Sequence, residues 1–438
     1  MKMDEIPRRV HFVGIGGVGM SSLAQHLFKL GYVVSGSDRT PSERTDALSE
    51  LGIEVHIGHS AANVGDAELV VRTSAARDDN VEVVEAHKRN IPVILREQLL
   101  GTIFNSFETR IAVCGTHGKT TVTAMIHEIL QQAGVSHAAF IGGVYHGNNY
   151  FFGQNVVVAE ACEFNRSFYN LHPTICVCLN AEYDHPDCYS SQEDVRDAFA
   201  HFMNNTDERG TVVLPYDIRN LCVRRKRLCF DKQFDATSVT LVEGKPRIEA
   251  VLKGETCTFQ LGVAGEHNVG NALAAIAVTH QLLNVPFSAV ERALGAFDGV
   301  DRRWMERKSN LCSVIVDYAH HPTEIACSVA TAKSIARGKV VCVFQPHTYS
   351  RTQAFFDEFA TCFEGVAVAY LPIYSAREKP ITGVNSFLLA ERAGELGVNA
   401  HFVPDFDSAK KWIEAVVSPD DLLLILGAGD VCELANML

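Results

Sequence analysis

Along this chain, short apolar runs alternate with longer stretches whose apolar residues recur every three or four positions. Apolar runs at residues 10–13, 32–35, 54–57 and 69–72 predict strands, and the stretches 18–30, 43–51 and 81–90 between them predict helices. Such alternation predicts a parallel sheet covered by helices. The rhythm resumes near Glu108, where residues 110–114 predict a strand and 120–133 a helix that Gly134 stops. Runs 156–160 and 174–178 are continuously apolar, as suits parallel strands buried on both faces. Residues 239–261 change to short strands broken at Gly244 and Gly254, a hairpin excursion, and helices are predicted at 268–283 and 288–296. From Asp301 the α/β order returns, with strands at 314–318, 340–344, 366–371 and 421–426. The expectation is an α/β chain of three domains, 1–107, 108–300 and 301–438.

Composition narrows this picture in three ways. A length of 438 residues supports about three separate cores, and no apolar run is long enough to span a membrane. Residues 10–19, after Arg8-Arg9, are too short and glycine-broken for a secretory signal and read as the first strand and its loop. A net charge of −13 argues against a nucleic-acid or anionic-membrane surface, so a bound anion needs local positive groups. The 13 cysteines are odd in number and contain no C-x-x-C pair, and most sit in apolar runs. They read as buried thiols in a reducing cytoplasm.

Candidate chemistry gathers where predicted strands end. Val113-Cys114-Gly115-Thr116-His117-Gly118-Lys119-Thr120-Thr121 runs from a strand through glycines into a helix. Backbone N–H groups and the positive end of a helix dipole favour phosphate there, Lys119 reaches β/γ-phosphates, and the Thr120 hydroxyl suits Mg²⁺. Only two residues separate Gly115 from Gly118, fewer than in the usual G-x-x-x-x-G-K-[ST] loop. Gly14-Ile15-Gly16-Gly17-Val18-Gly19, with Asp38 near the end of the second strand, fits a dinucleotide fingerprint, open to NAD and to a UDP-sugar alike. Glu160 with Glu163, and Asn180, Glu182, Asp184 and His185, follow two central strands; a carboxylate such as Glu160 is the natural companion of Thr120 on Mg²⁺. Asp317-Tyr318-Ala319-His320-His321-Pro322-Thr323-Glu324 and Gln345-Pro346-His347-Thr348-Tyr349-Ser350-Arg351-Thr352 close two later strands, and Gly427-Ala428-Gly429-Asp430 closes the last. Pro322 and Glu324 suit a helix start, which leaves Asp317 and the histidines to be explained by chemistry.

Seven motifs in this order, the five glycine- or histidine-bearing loops above together with residues 180–187 and 265–271, resemble those of the Mur ligases of bacterial cell-wall synthesis. The resemblance covers essentially the whole chain. It implies a Rossmann-like N-terminal domain for a UDP-sugar, a P-loop ATPase-like central domain, and a Rossmann-like C-terminal domain that closes over the active site. It further implies ATP-dependent, Mg²⁺-assisted joining of L-alanine to UDP-N-acetylmuramate in the cytoplasm by a monomer or homodimer, without nucleic acid or membrane insertion. By the same resemblance, Gly115, Thr116, His117, Gly118, Lys119, Thr120, Thr121, His267, Asn268, Asn271 and Asp317 face ATP. Thr120, Glu160 and His185 hold metal. Gly16, Gly17, Val18, Gly19, Ser37, Asp38, His59 and Ser74 face the UDP part, and His321, His347 and Arg351 the muramoyl or acceptor side. Lys119, Glu160, His185, His321 and Arg351 form the implied catalytic set. Three other readings remain: a recycling ligase that attaches a preformed peptide to the same UDP-sugar, an NAD-dependent oxidoreductase resting on the first glycine loop alone, and a non-catalytic UDP-sugar-binding module.

Overall fold

The structure, a computed structural model, describes residues 1–222, 224–233, 236–242 and 244–438. The chain divides into two compact units: residues 1–181, 197–230 and 274–290 form the first, and 182–196, 231–273 and 291–438 the second.

The first unit holds two sheets. The opening one is built from β1 (Arg9–Val13), β2 (Val33–Asp38), β3 (Glu54–Ile57), β4 (Leu69–Arg72) and β5 (Val93–Leu95), interleaved with α1 (Val18–Lys29), α2 (Glu43–Glu50), α3 (Val81–Lys88) and α4 (Arg96–Phe104). Its strands are all parallel in the order β3-β2-β1-β4-β5, so the order reverses between β1 and β4. A crevice at such a reversal, outside the carboxyl ends of the strands, is where open α/β sheets hold ligands. The expected strand at 32–35 starts one residue later and runs to Asp38, which carries Ser37 and Asp38 on the strand itself.

The second sheet contains β6 (Thr109–Cys114), β7 (His137–Tyr145), β8 (Asn148–Phe151), β9 (Val156–Glu160), β10 (Ile175–Cys178), β11 (Thr211–Leu214) and β12 (Lys226–Cys229), with α5 (Lys119–Gln132) and α6 (Gln192–Asn204) between strands. The order is β12-β11-β10-β6-β9-β7-β8. β6 is central, and its neighbours β9 and β10 are the two apolar runs the sequence marks as buried strands. Val157, Val158, Cys176 and Val177 are fully buried, as that pattern requires. The glycine-bearing β7 is set by its tertiary partner: residues 137–140 pair with β9, and β8 folds back antiparallel on it.

The second unit holds the third and fourth sheets. After the short α7 (Phe230–Gln233), strands β13 (Ala236–Val242), β14 (Lys245–Leu252) and β15 (Glu255–Gln260) form an antiparallel sheet. It turns at Gly244 and Gly254, as the sequence predicts; residue 243, beside the first turn, lies outside the described residues. The predicted helix at 268–283 is α8 (His267–Ile276) continuing into a π-helical turn, Ala277–Leu282, and α9 (Phe287–Ala296) follows. The fourth sheet comprises β16 (Met305–Arg307), β17 (Ser313–Asp317), β18 (Val340–Phe344), β19 (Ala367–Tyr370), β20 (Asn399–Phe402) and β21 (Leu422–Leu426). Helices α10 (Pro322–Ile335), α11 (Tyr349–Ala354), α12 (Phe356–Thr361), α13 (Ser386–Glu395) and α14 (Phe406–Val416) pack on it. The order is β16-β17-β21-β18-β19-β20. Placing the last strand between β17 and β18 puts the three polar loops that follow them side by side at one sheet edge. Two apolar clusters cover the two faces of this sheet, one around Phe344, Phe359 and Tyr370, the other around Val343, Ile413 and Ile425.

Candidate active site

The phosphate loop leaves the end of β6 and enters α5. Gly118, at φ +83°, is the residue before the helix, a backbone state that costs a residue with a Cβ strain. Lys119 folds back along the loop. Its ammonium donates to the Gly115 carbonyl at 2.6 Å and the Thr116 carbonyl at 3.1 Å, and lies 2.9 Å from the Glu163 carboxylate. Burial works against that charge, but Glu163, with Cys162 and Glu160 behind it, outweighs burial and raises the lysine's pKa, so Lys119 is cationic throughout the physiological range. The Thr120 hydroxyl donates to Glu160 Oε2 at 2.8 Å, and the Gly142 N–H on β7 donates to the same oxygen at 3.0 Å. His117 is tied to Asn180 at the end of β10, whose Oδ1 accepts from the His117 N–H at 2.9 Å. Thr121 follows in the first turn of α5, half-buried. Thus Lys119, Thr120 and Glu160 converge, and Glu163 and Asn180 complete the loop. Sequence reasoning placed both of the latter at strand ends without assigning them a partner.

The first glycine loop leaves β1. Gly14, at φ +84°, makes the turn; its N–H and that of Ile15 donate to the Ser37 carbonyl at 2.8 and 2.9 Å. Asp38 accepts from the Gly16 N–H at 2.9 Å and so braces the loop from within. A Cβ on Gly19 would stand 2.7 Å from an Arg96 nitrogen, which puts a half-buried guanidinium against the first turn of α1. Arg96 went unmarked in the sequence, where an arginine opening a helix looks ordinary. Ser37 and His59 meet over Glu82, a carboxylate with no exposed surface in the first turn of α3. Glu82 accepts from Ser37 Oγ at 2.5 Å, Asn63 Nδ2 at 2.7 Å and the Ser60 N–H at 3.1 Å, with His11 Nε2 at 3.4 Å. Burial alone pushes that carboxyl up; the bonds from His11, Ser37, Asn63 and Ser60 outweigh it and hold the pKa down at about 2. Ser74 is exposed beyond β4. The hairpin β7–β8 reaches α1: Asn149 Nδ2 donates to the Val18 carbonyl and, at 3.3 Å, to Ser21 Oγ.

In the second unit, Arg351 on α11 donates through Nε and Nη2 to the two oxygens of Asp184, at 2.8 and 3.1 Å, with both side chains buried. Burial raises a carboxyl, but the Arg351 guanidinium holds Asp184 well below the usual carboxylate range. The remaining arm, Nη1, donates to His347 Nδ1 at 3.2 Å, which leaves the proton of a neutral His347 on Nε2. Burial, then Arg351, lowers His347 to about 4. His321 precedes α10 and caps it: Nδ1 accepts from the Thr323 N–H at 3.3 Å, and Nε2 donates to the Tyr183 carbonyl at 3.1 Å. His185 lies beside Asp184, its Nε2 3.7 Å from the carboxylate. Asp317 is engaged at both oxygens, by the Trp304 N–H and the Ser328 hydroxyl. Asn268 Nδ2 donates to the Ala264 carbonyl at 2.7 Å and its Oδ1 accepts from Asn271 at 2.9 Å, while His267 is packed against Gly265. Thr348, between His347 and α11, sits at φ +67°, a strained state for a β-branched side chain and one that clusters at functional sites.

Parallel sheets whose loops gather cations, carboxylates and histidines at strand ends define an α/β protein with a phosphate loop at a helix N-terminus. Residues 9–108 match the Mur ligase family catalytic domain, 113–279 the Mur ligase middle domain, and 302–429 the Mur ligase glutamate ligase domain. The chain is 42% identical to the UDP-N-acetylmuramate–L-alanine ligase of Geobacter sp. strain M21, over 98% of this chain and 96% of that one. It is 40% identical to the enzyme of that name from Syntrophotalea carbinolica, over 98% and 97%. The crystal structure of UDP-N-acetylmuramate-alanine ligase from Thermotoga maritima superposes with a TM-score of 0.78 at 31% identity, covering 98% of this chain and 97% of the other. The chain belongs to the Mur ligase family.

Proposed function

We propose that this protein is the ATP-dependent ligase that joins L-alanine to the lactyl carboxylate of UDP-N-acetylmuramate through an acyl phosphate, in peptidoglycan precursor synthesis. The observation that carries the reading is the convergence of Lys119, Thr120 and Glu160 on one phosphate loop, in a chain alike over its length to ligases of that name. A lactyl carboxylate oxygen attacks the γ-phosphorus and ADP leaves. The alanine amine then attacks the acyl carbon, loses a proton, and the tetrahedral adduct expels phosphate. Lys119, held cationic, offsets the charge on the transferring group, and the N–H groups opening α5 face the phosphates. The hard oxygens of Thr120 and Glu160, 2.8 Å apart, fit one Mg²⁺, which when bound neutralises phosphate charge; His185 would help place a second.

In this reading the first glycine loop and Arg96 hold the diphosphate, and His267, Asn268, Asn271 and Asp317 serve the adenosine. His321, His347 and Arg351 serve the muramoyl and acceptor side, with Arg351 acting through its grip on His347. The reading includes domain limits at 107/108 and 300/301, a cytoplasmic location, and a monomer or homodimer. Among the described residues no helix is long and apolar enough to cross a membrane.

Phosphate release tests the proposal. It should require UDP-N-acetylmuramate, ATP and Mg²⁺, with L-alanine preferred over a free tripeptide, and hydroxylamine should trap the acyl phosphate before alanine is added. Lys119→Ala should abolish release in a protein that keeps its fold. Turnover at the wild-type rate in that variant overturns the assignment, and tripeptide preference moves it to the recycling ligase.

A further inference from the structure

Asp38 occupies the place where a dinucleotide fingerprint puts its ribose-binding acid, yet its carboxylate is bonded to the Gly16 N–H at 2.9 Å. Arg44 Nε adds a bond to the Gly16 carbonyl at 2.6 Å, and a Cβ on Gly16 would stand 2.9 Å from Asp38 Oδ2. Asp38 is therefore part of the loop's own scaffold. The neighbouring strand end offers a different group. His59 follows β3, with a side chain about a quarter exposed (26%) and Nδ1 3.0 Å from Ser37 Oγ. Ser37 has one proton, and at 2.5 Å that proton goes to Glu82, an ionised carboxylate with none to give. Ser37 Oγ can then only accept from His59, so the imidazole proton sits on Nδ1 and Nε2 is left as a bare acceptor. Glu82 keeps its charge because it lies in the first turn of α3, where the helix dipole favours an anion, and accepts from Asn63 and the Ser60 N–H besides.

We propose that Glu82 is a positioning residue that acts through Ser37, and from 3.4 Å on His59 Nδ1 itself, to fix His59 as a hydrogen-bond acceptor, and that His59 Nε2 reads a donor on the nucleoside of the UDP-sugar. Two donors share that chemistry, the ribose 2′-hydroxyl and the uracil N3–H. The inference rests on the reading of this chain as a UDP-N-acetylmuramate ligase.

Glu82→Gln supplies the sharp test, since an amide can donate to Ser37 and reverse the relay, turning Nε2 into a donor. In the full chain, Glu82→Gln and His59→Ala should each raise KM for the UDP-sugar about tenfold, the cost of one lost hydrogen bond, while KM for ATP changes less than about twofold. The ¹⁵N shifts of His59 should report the Nδ1–H tautomer in wild type and the other in Glu82→Gln, a signature that mere loosening of α3 does not produce. The 2′-deoxy and N3-methyl UDP-sugars identify the donor: one should bind wild type about tenfold more weakly yet lose nothing further on His59→Ala. An unchanged tautomer in Glu82→Gln, or equal losses for both analogues in wild type and His59→Ala, overturns the inference. Failure of wild type to release phosphate with UDP-N-acetylmuramate and L-alanine instead removes the functional reading beneath it.

Discussion

At Arg351 the side chain expected on the muramoyl or acceptor side is already committed to a carboxylate of its own chain. Both ends of the Arg351–Asp184 pair are about 95% buried, so removing one partner strands a charge in a poorly solvating environment. Arg351→Ala should cost about 3–5 kcal/mol in denaturant unfolding of the second unit, and Arg351→Lys should recover little, because one ammonium cannot span two carboxylate oxygens while also reaching His347. A loss within the range of an exposed ion pair, below about 1 kcal/mol, contradicts this picture. Residue types at strand ends were legible in the sequence, but their pairings were not. Arg351 and Asp184 are 167 positions apart, and no local pattern connects them. Arg96 and Glu82 were missed for a related reason: an arginine opening one helix and a glutamate in the first turn of another are satisfied by ordinary helix-terminus chemistry until the fold brings Gly19, Ser37 and His59 against them.

Among elements, the hairpin β7–β8 connects most of the first unit's chemistry. Gly142 on β7 meets the Glu160 carboxylate so closely that a Cβ there would displace it, and a carboxylate tip is the kind of neighbour that gives way. Gly142→Ala should accordingly leave the unfolding midpoint within about 0.5 kcal/mol of wild type while raising the Mg²⁺ concentration needed for half-maximal activity. An unchanged Mg²⁺ requirement would separate Glu160 from metal binding. Gly153, just beyond β8, is the contrast: a Cβ there collides with the His137 backbone carbonyl, which cannot rotate away. Gly153→Ala should destabilise the hairpin by about 1–3 kcal/mol, read as the same midpoint shift. Parallel strands buried on both faces declared themselves by continuous apolar runs. The hairpin did not, since its glycines and edge position break that pattern and its register comes from β9.

For the molecule as a whole, buried histidines set the response to acid. His26 and His347 are lowered to about 4, and His127 and His320 to about 3, in each case chiefly by burial. The unfolded chain takes up protons at these sites near 6.5 while the folded chain does not, so the unfolded state binds more protons below that pH. Their contribution is complete above about pH 6.5 and is lost as pH falls toward about 3. Glu82 acts in the same direction over a lower window, from its ordinary 4.5 down to about 2. Denaturant midpoints should therefore fall steadily between about pH 7 and pH 4. A flat profile over that range contradicts the neutral, buried state of these rings.

The sequence by itself determined the α/β class, the strands with unbroken apolar runs and the order of the glycine-bearing strand-to-helix loops, because these depend on local periodicity and on residue types that a helix start or a tight turn demands. It also carried the Mur ligase resemblance that the family matches bear out. Tertiary structure decided the rest. Inserting β21 between β17 and β18 assembled three distant loops at one edge, and pairing across the sheets committed Asp38 to its own glycine loop and Arg351 to Asp184. A buried polar group must find its partner wherever the fold supplies one, and that partner is rarely near in sequence.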